Sequence, residues 1–296
     1  MTENPAIPVR DKPQPIPASG WIAPLIVLAY VIAAAGVWLG FWADGWGDIT
    51  GDMWAAPSSD HWLGTNRLGQ DILSRAVAAT ATAFEIGLLV AVASSVMGGL
   101  LGAVAGHYNG SRLDELILWL KGTIDAIPFY LFVVAIAFAL QGHAMAMHLA
   151  MIVAFWTTTA RIVRAETMRI GQTGFIQAAR AGGSTPARII VRHVLPNLVH
   201  VLLVQATLVF VAAIKAEVVL SFLGIGVQDS ISWGLMLAEA GQDIMAGQYM
   251  NFMVASLALF GLVMAGSLLA DHMQDRLDPR SRHRRTTSLT RRQHQP

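Results

Sequence analysis

At 296 residues the chain is long enough for one or two water-soluble domains, yet 54% of it is hydrophobic and only 13% is charged. Soluble domains carry about 25% charged residues, and the mean hydropathy of +0.52 agrees that much of this surface faces something other than water. The net charge of +1 says little until the charges are placed, whereas the absence of cysteine excludes disulfides, thiolate zinc sites and iron–sulfur clusters.

Residues Met1–Gly20 are polar and proline-rich and read as a disordered lead-in. The run Trp21–Ala43 holds no charge. It exceeds the roughly 7–15 residues of a signal-peptide apolar core and can span a hydrocarbon layer of about 30 Å. Trp21, Trp38 and Trp42 suit anchoring at its two interfaces. A long acidic gap follows over 44–81. Five further apolar segments lie at Phe84–Gly106, Leu116–Leu140, Ala144–Ala160, Leu198–Leu220 and Tyr249–Ala270. Backbone polar groups find no water in lipid, so each segment is predicted to be a helix. The expected architecture is an all-α integral membrane protein of six transmembrane helices. A core over 82–272 follows the first helix and outer loop, a cytoplasmic loop spans 161–197, and 273–296 forms a basic tail.

Charge sets the orientation. With the first helix leaving the cytoplasm, all but four of the twenty Lys and Arg residues fall on the inner side or in the two termini. The four are Arg67, Arg75, Lys121 and Lys215. Excess basic charge marks cytoplasmic loops, so both termini are expected in the cytoplasm. The gaps after the first and fifth segments lie outside and are read as ordered loops or short helices over the outer mouth. The tail from Arg280 to Pro296 is read as solvated beside anionic headgroups, without a nucleic-acid site.

No energy-supplying chemistry is present. The phosphate-binding loop G-x-x-x-x-G-K-[ST] needs a Lys directly after Gly, and Lys12, Lys121 and Lys215 follow Asp, Leu and Ile. No metal-ligand spacing stands out among the nine histidines. Glu85, Lys121 and Asp125 lie near segment ends, where long side chains reach the interface cheaply. Lys215 and Glu217 sit toward the outer end of the fifth segment. Two residues apart, they point to different helix faces. Both are expected to reach the outer interface or a wet cavity, with a direct place on the solute path as the alternative. Gly87, Ala91, Ser95, Gly98, Gly102 and Gly106 form a small-residue stripe that admits a close helix neighbour.

The cytoplasmic loop carries the most information. A helix ending in Ala178-Ala179-Arg180-Ala181, then Gly182-Gly183, then a second helix opening at Pro186, predicts a helix–turn–helix projection. Small alanines at its tip can enter a groove on another protein.

This loop resembles that of the permease subunits of ATP-binding-cassette (ABC) importers, of form E-A-A-x-x-x-G-x(9)-I-x-L-P. The pattern falls on Gln177, Ala178, Ala179, Gly183, His193, Leu195 and Pro196 with every spacing kept, departing at Gln177 and His193. The segment from His61 to Arg75 is similar to H-x-L-G-T-D-x-x-G-R-D-x-x-S-R of the dipeptide, oligopeptide and nickel permease group, departing at Asn66 and Gln70. Ser221-Phe222-Leu223-Gly224-Ile225-Gly226-Val227 with Ser232-Trp233-Gly234, and Leu277-Asp278-Pro279-Arg280, match that group too. The resemblance implies a type I importer permease of the bacterial inner membrane, without catalytic or metal residues or a cofactor of its own. It implies as partners a second homologous permease, two cytoplasmic ATPases that bind ATP and magnesium, and an extracytoplasmic solute-binding protein. Gln177, Ala178, Ala179, Gly183 and Ser184 would form the ATPase-coupling turn, and Lys215 and Glu217 are candidates for the path. Di- and oligopeptides are the expected cargo. The alternatives are nickel, a metal chelate or another non-peptide solute, or service in efflux.

Overall fold

The structure, a computed structural model, describes residues 21–140, 143, 145–226 and 230–277. The lead-in Met1–Gly20, the tail from Arg280 and the Asp278-Pro279-Arg280 motif lie outside the described residues.

The described chain is helical, with one isolated bridge, Thr65 to Asp71, and no strand among the described residues. Its elements are α1 (Ile22–Trp38), α2 (Ile72–His107), α3 (Arg112–Asp125), α4 (Phe129–Ala139), α5 (Ala146–Gly171), α6 (Gly174–Ala181), α7 (Pro186–Ile189), a π-turn (Ile190–Val194), α8 (Leu195–Phe222), α9 (Trp233–Met245) and α10 (Met250–Leu277). Four stretches are long and apolar enough to cross a membrane: Ile72–His107, Ala146–Gly171, Pro186–Phe222 and Met250–Asp275. The other two expected crossings differ in form.

The third apolar segment is not one rod. α3 and α4 meet at 94°, because Pro128 lacks an amide hydrogen and disfavours helical geometry at Ile127 before it. The first segment makes a helix of only 17 residues. Past Trp38 the chain folds back, and Trp42 Nε1 donates to Ala33 O at 3.0 Å, its ring filling the space beside Gly36.

α2 is the axis of the fold, with α1, α5 and α8 packed against it. Its small-residue stripe serves contacts within the chain. A Cβ on Gly98 would sit 2.5 Å from Trp156 O, one on Gly102 2.6 Å from Ala160 O, and one on Gly106 2.6 Å from Arg164 O. Each step of four on α2 meets a step of four on α5, so the backbones run side by side at a distance only glycine permits. Gly87 faces Phe210 and Ile214 of α8 instead. At the end that carries the 44–71 loop, α1, α2, α8, α9 and α10 share one apolar cluster around Trp233. At the opposite end, Ala103, Val163, Ile170, Ile176, Ile189, Ile190, Val194 and Leu198 form another.

Candidate functional site

The cluster around Ile176 and Ile189 fixes the projection between α5 and α8. α5 continues past its apolar stretch, and Thr173 closes it by donating from Oγ1 to Ile170 O at 2.6 Å. α6 then turns back, burying Ile176 completely and leaving Phe175 half exposed. Its C-terminus is a Schellman motif: Ser184 N donates to Ala179 O at 3.0 Å and Gly183 N to Arg180 O at 3.0 Å. That motif needs a left-handed residue, and Gly183 has φ +76°. Thr185 caps the next helix through Oγ1, which accepts from Arg188 N at 3.4 Å, and Pro186 opens it. Ile189 and Ile190 are buried.

The result is a short elbow held from behind by isoleucines. Gln177, Ala178 and Gly183 are exposed, while Ala179 and Ser184 are half-buried. The sequence-predicted turn residues are therefore brought together on one projecting tip. Gln177, standing where the resembled pattern has an acid, points its amide back and donates to Gln172 O at 3.3 Å.

Charge pairing braces the inner ends of the helices behind the elbow. Arg164 of α5 forks onto Asp114 of α3, Nε to Oδ1 at 2.7 Å and Nη2 to Oδ2 at 2.8 Å, and also donates to Asn109 Oδ1 at 2.8 Å. Gly110 N donates to Asp114 Oδ2 at 2.9 Å. Sequence reading counted Arg164 only as inner charge. Fifty positions separate the partners, and no local pattern signals the pair.

Lys215 and Glu217 do point apart. Lys215 is exposed, but Glu217 is 1% exposed and accepts a hydrogen bond from Ser221, so only the lysine reaches the chain's surface. The interior of α8 near α9 holds the carboxyl because Ser221 follows it by one helical turn. Lys121 and Asp125 pair with each other at 2.5 Å, and Glu85 is exposed.

The two outer motifs converge as a polar latch. Asp71 caps α2 by accepting from Ser74 N at 2.7 Å, and its other oxygen meets His61 Nδ1 at 3.0 Å. Thr65 Oγ1 ties Asp52 O at 2.6 Å and Ala55 N at 2.8 Å. Asn66 Nδ2 donates to Gln70 Oε1 at 2.9 Å, and the same oxygen accepts from Arg75. Arg75, 2% exposed, reaches Glu239 of α9 at 2.5 Å. Nearby, Trp54 Nε1 and Asn251 Nδ2 hold the buried Asp243 at 2.9 and 3.0 Å. Ser232 caps α9, and Trp233 Nε1 donates to Ala76 O at 3.1 Å. Both motifs thus lock the outer loop and α9 onto α2. The long acidic gap gave no hint of which partners its side chains would take.

Residues 98–283 match the family described as the binding-protein-dependent transport system inner membrane component. The chain belongs to this family. It is 36% identical over 229 residues to the oligopeptide transport system permease protein OppC of Mycobacterium bovis, covering 76% of this chain and 78% of that protein. It is 34% identical over 260 residues to the dipeptide transport system permease protein DppC of Bacillus subtilis, covering 87% and 80%. Among solved structures, an inward-facing form of the MetNI methionine ABC transporter superposes with a TM-score of 0.57 at 19% identity. The match covers 70% of this chain and 96% of that one, a likeness of fold. As an ABC importer permease, the chain is a multi-pass inner-membrane component and a non-catalytic part of its transport system.

Proposed function

We propose that this permease moves di- or oligopeptides inward, one of two homologous membrane subunits served by an extracytoplasmic binding protein and driven by two cytoplasmic ATPases. ATP and magnesium would be bound by those partners. Both termini would lie in the cytoplasm, and the exposed face of the elbow, Gln177 and Ala178 with Ala179, Gly183 and Ser184 beside them, would be the ATPase contact. The observation that carries this reading is the elbow's construction. Its tip is small and exposed, while Ile176, Ile189 and Ile190 behind it are buried among α2, α5 and α8. A push at the tip would then reach the membrane helices as a rigid-body motion rather than bend the loop. Peptide cargo is supported by the names of the oligopeptide and dipeptide relatives.

The test is uptake of a labelled tripeptide into vesicles carrying the permease pair, the ATPases and the binding protein. Ala178→Glu should insert and assemble, hydrolyse ATP out of step with uptake, and lose most transport. Undiminished transport by that variant would remove the docking assignment. Saturable nickel uptake with no peptide uptake would remove the cargo.

A further inference from the structure

A cavity of about 190 Å³ lies behind the elbow, between the last turns of α2 and α5 and the inward face of α6. Its volume is that of about six liquid waters. Sequence placed the ends of the second and fourth apolar segments at Gly106 and Ala160, so this cavity lies at or just past the apolar stretches of both helices. Arg180 lines it from α6. Arg180 lies on α6 between the buried Ile176 and the exposed Gln177, so its exposed side chain reaches the cavity from the edge of the helix. No hydrogen bond or ion pair engages its guanidinium among the described residues. Thr167 lines the cavity from α5, 1% exposed, with its hydroxyl unpartnered. Asn109 adds its amide nitrogen, because its oxygen is already taken by Arg164. No carboxylate lines the space.

These donors suit a phosphate, but the backbone imposes a second requirement. The cavity is bounded by two helix C-termini, at Gly106 and His107 of α2 and at Gly171 and Gln172 beside α5. Both ends carry the negative pole of the helix, although at α5 the Arg169, Ile170 and Gln172 carbonyls are already taken by Gln172, Thr173 and Gln177. A plain anion would meet attraction from Arg180 and repulsion from both helix ends. A group carrying phosphate and a primary ammonium a few ångströms apart satisfies both.

We infer that this cavity is a binding site for the headgroup of an inner-leaflet phosphatidylethanolamine, its phosphate on Arg180 and Thr167 and its ammonium on the terminal carbonyls of α2. The occupied site ties α6 to the ends of the helices it moves. The inference stands apart from the cargo and from the ATPase contact, since it concerns the cavity behind α6 rather than the residues of the turn.

The test uses the purified full-length chain, with whatever subunits accompany it, in maltoside micelles. Thermal unfolding is followed as short-chain phosphatidylethanolamine, phosphatidylcholine, phosphatidylglycerol or free phosphoethanolamine is added. Phosphatidylethanolamine should raise the unfolding temperature saturably and at lower concentration than the others. Loss of one charge-assisted hydrogen bond in Arg180→Gln should raise its half-saturating concentration about tenfold or more. Thr167→Val, nearly isosteric, should weaken it less, and Arg188→Gln, outside the cavity, should leave it unchanged. Equal effects of the three lipids, or an unaltered response in both Arg180→Gln and Thr167→Val, would overturn the assignment. Free phosphoethanolamine acting as well as the lipid would overturn the lipid as its source.

Discussion

Gly183 offers a measurement of the elbow that separates backbone geometry from packing. Its φ is +76° and no atom lies within 4 Å of where a Cβ would stand, so Gly183→Ala meets no clash. The cost is that of placing an L-residue in left-handed geometry, about 1–2 kcal/mol. Reduced freedom of the opened chain returns about 0.4–1 kcal/mol. The net loss, about 0–1.6 kcal/mol, falls on the two amides of the Schellman turn. Hydrogen exchange at Gly183 and Ser184 should therefore quicken by up to about 15-fold, while amides of α2 stay protected. Gly183→Asn should lie near the parent, because Asn tolerates this geometry. In the assembled transporter, the Ala variant should lose uptake before it loses ATP hydrolysis. If Ala and Asn variants exchange alike, the left-handed turn is not what holds the tip, and the argument fails.

Gly102 should behave in the opposite way. Its added Cβ would stand 2.6 Å from Ala160 O and 2.9 Å from Val163 Cβ, so Gly102→Val should lower the unfolding temperature of the whole chain while elbow exchange in the folded state is unchanged. Arg75→Met leaves Glu239 without its buried cation and should destabilise by about 3–5 kcal/mol. The double variant with Glu239→Leu should recover part of that in a denaturation series, and no recovery would mean the pair is not coupled. Asn66 and Gln70, the two departures from the outer motif, bond to each other. Asn66→Asp sets a carboxylate against the Gln70 carbonyl, and Gln70→Arg sets a second guanidinium beside Arg75. Each single variant should lose stability and the double should regain it, with a coupling of about 0.5–3 kcal/mol. Strict additivity would count against the pairing.

The elbow was legible because its signals are local: alanines, a Gly pair and a Pro at fixed spacing specify a helix end, a reversal and a helix start. The long apolar stretches were legible because lipid dictates their length. Their ends were less so. α2 begins twelve residues before its apolar run because Asp71 caps it there, and a hydropathy reading does not register a capped start of helix. Pro128 was visible within the third segment, yet the composition around it is uniformly apolar and does not reveal a bend of 94°. Arg164 with Asp114, and Arg75 with Glu239, join elements far apart in the chain. Charge counting assigned these residues to sides of the membrane but could not choose their mates. Glu217 illustrates a further limit. A carboxyl near a segment end can extend outward or turn to a hydroxyl one turn on, and the helix's own neighbours decide between them.

The five-residue π-turn at Ile190–Val194 gives the helix that follows a particular phase. Widening one turn by a residue offsets the side chains before and after it by about 100° relative to an uninterrupted helix. The direction in which the tip projects is thereby decoupled from the azimuth that α8 presents to its neighbours. Shortening the chain by one residue at Val191, an exposed position in that turn, would leave every contacting side chain in place by identity yet aim the tip elsewhere. Orientation of the inner projection is thus encoded in residue number as well as residue type.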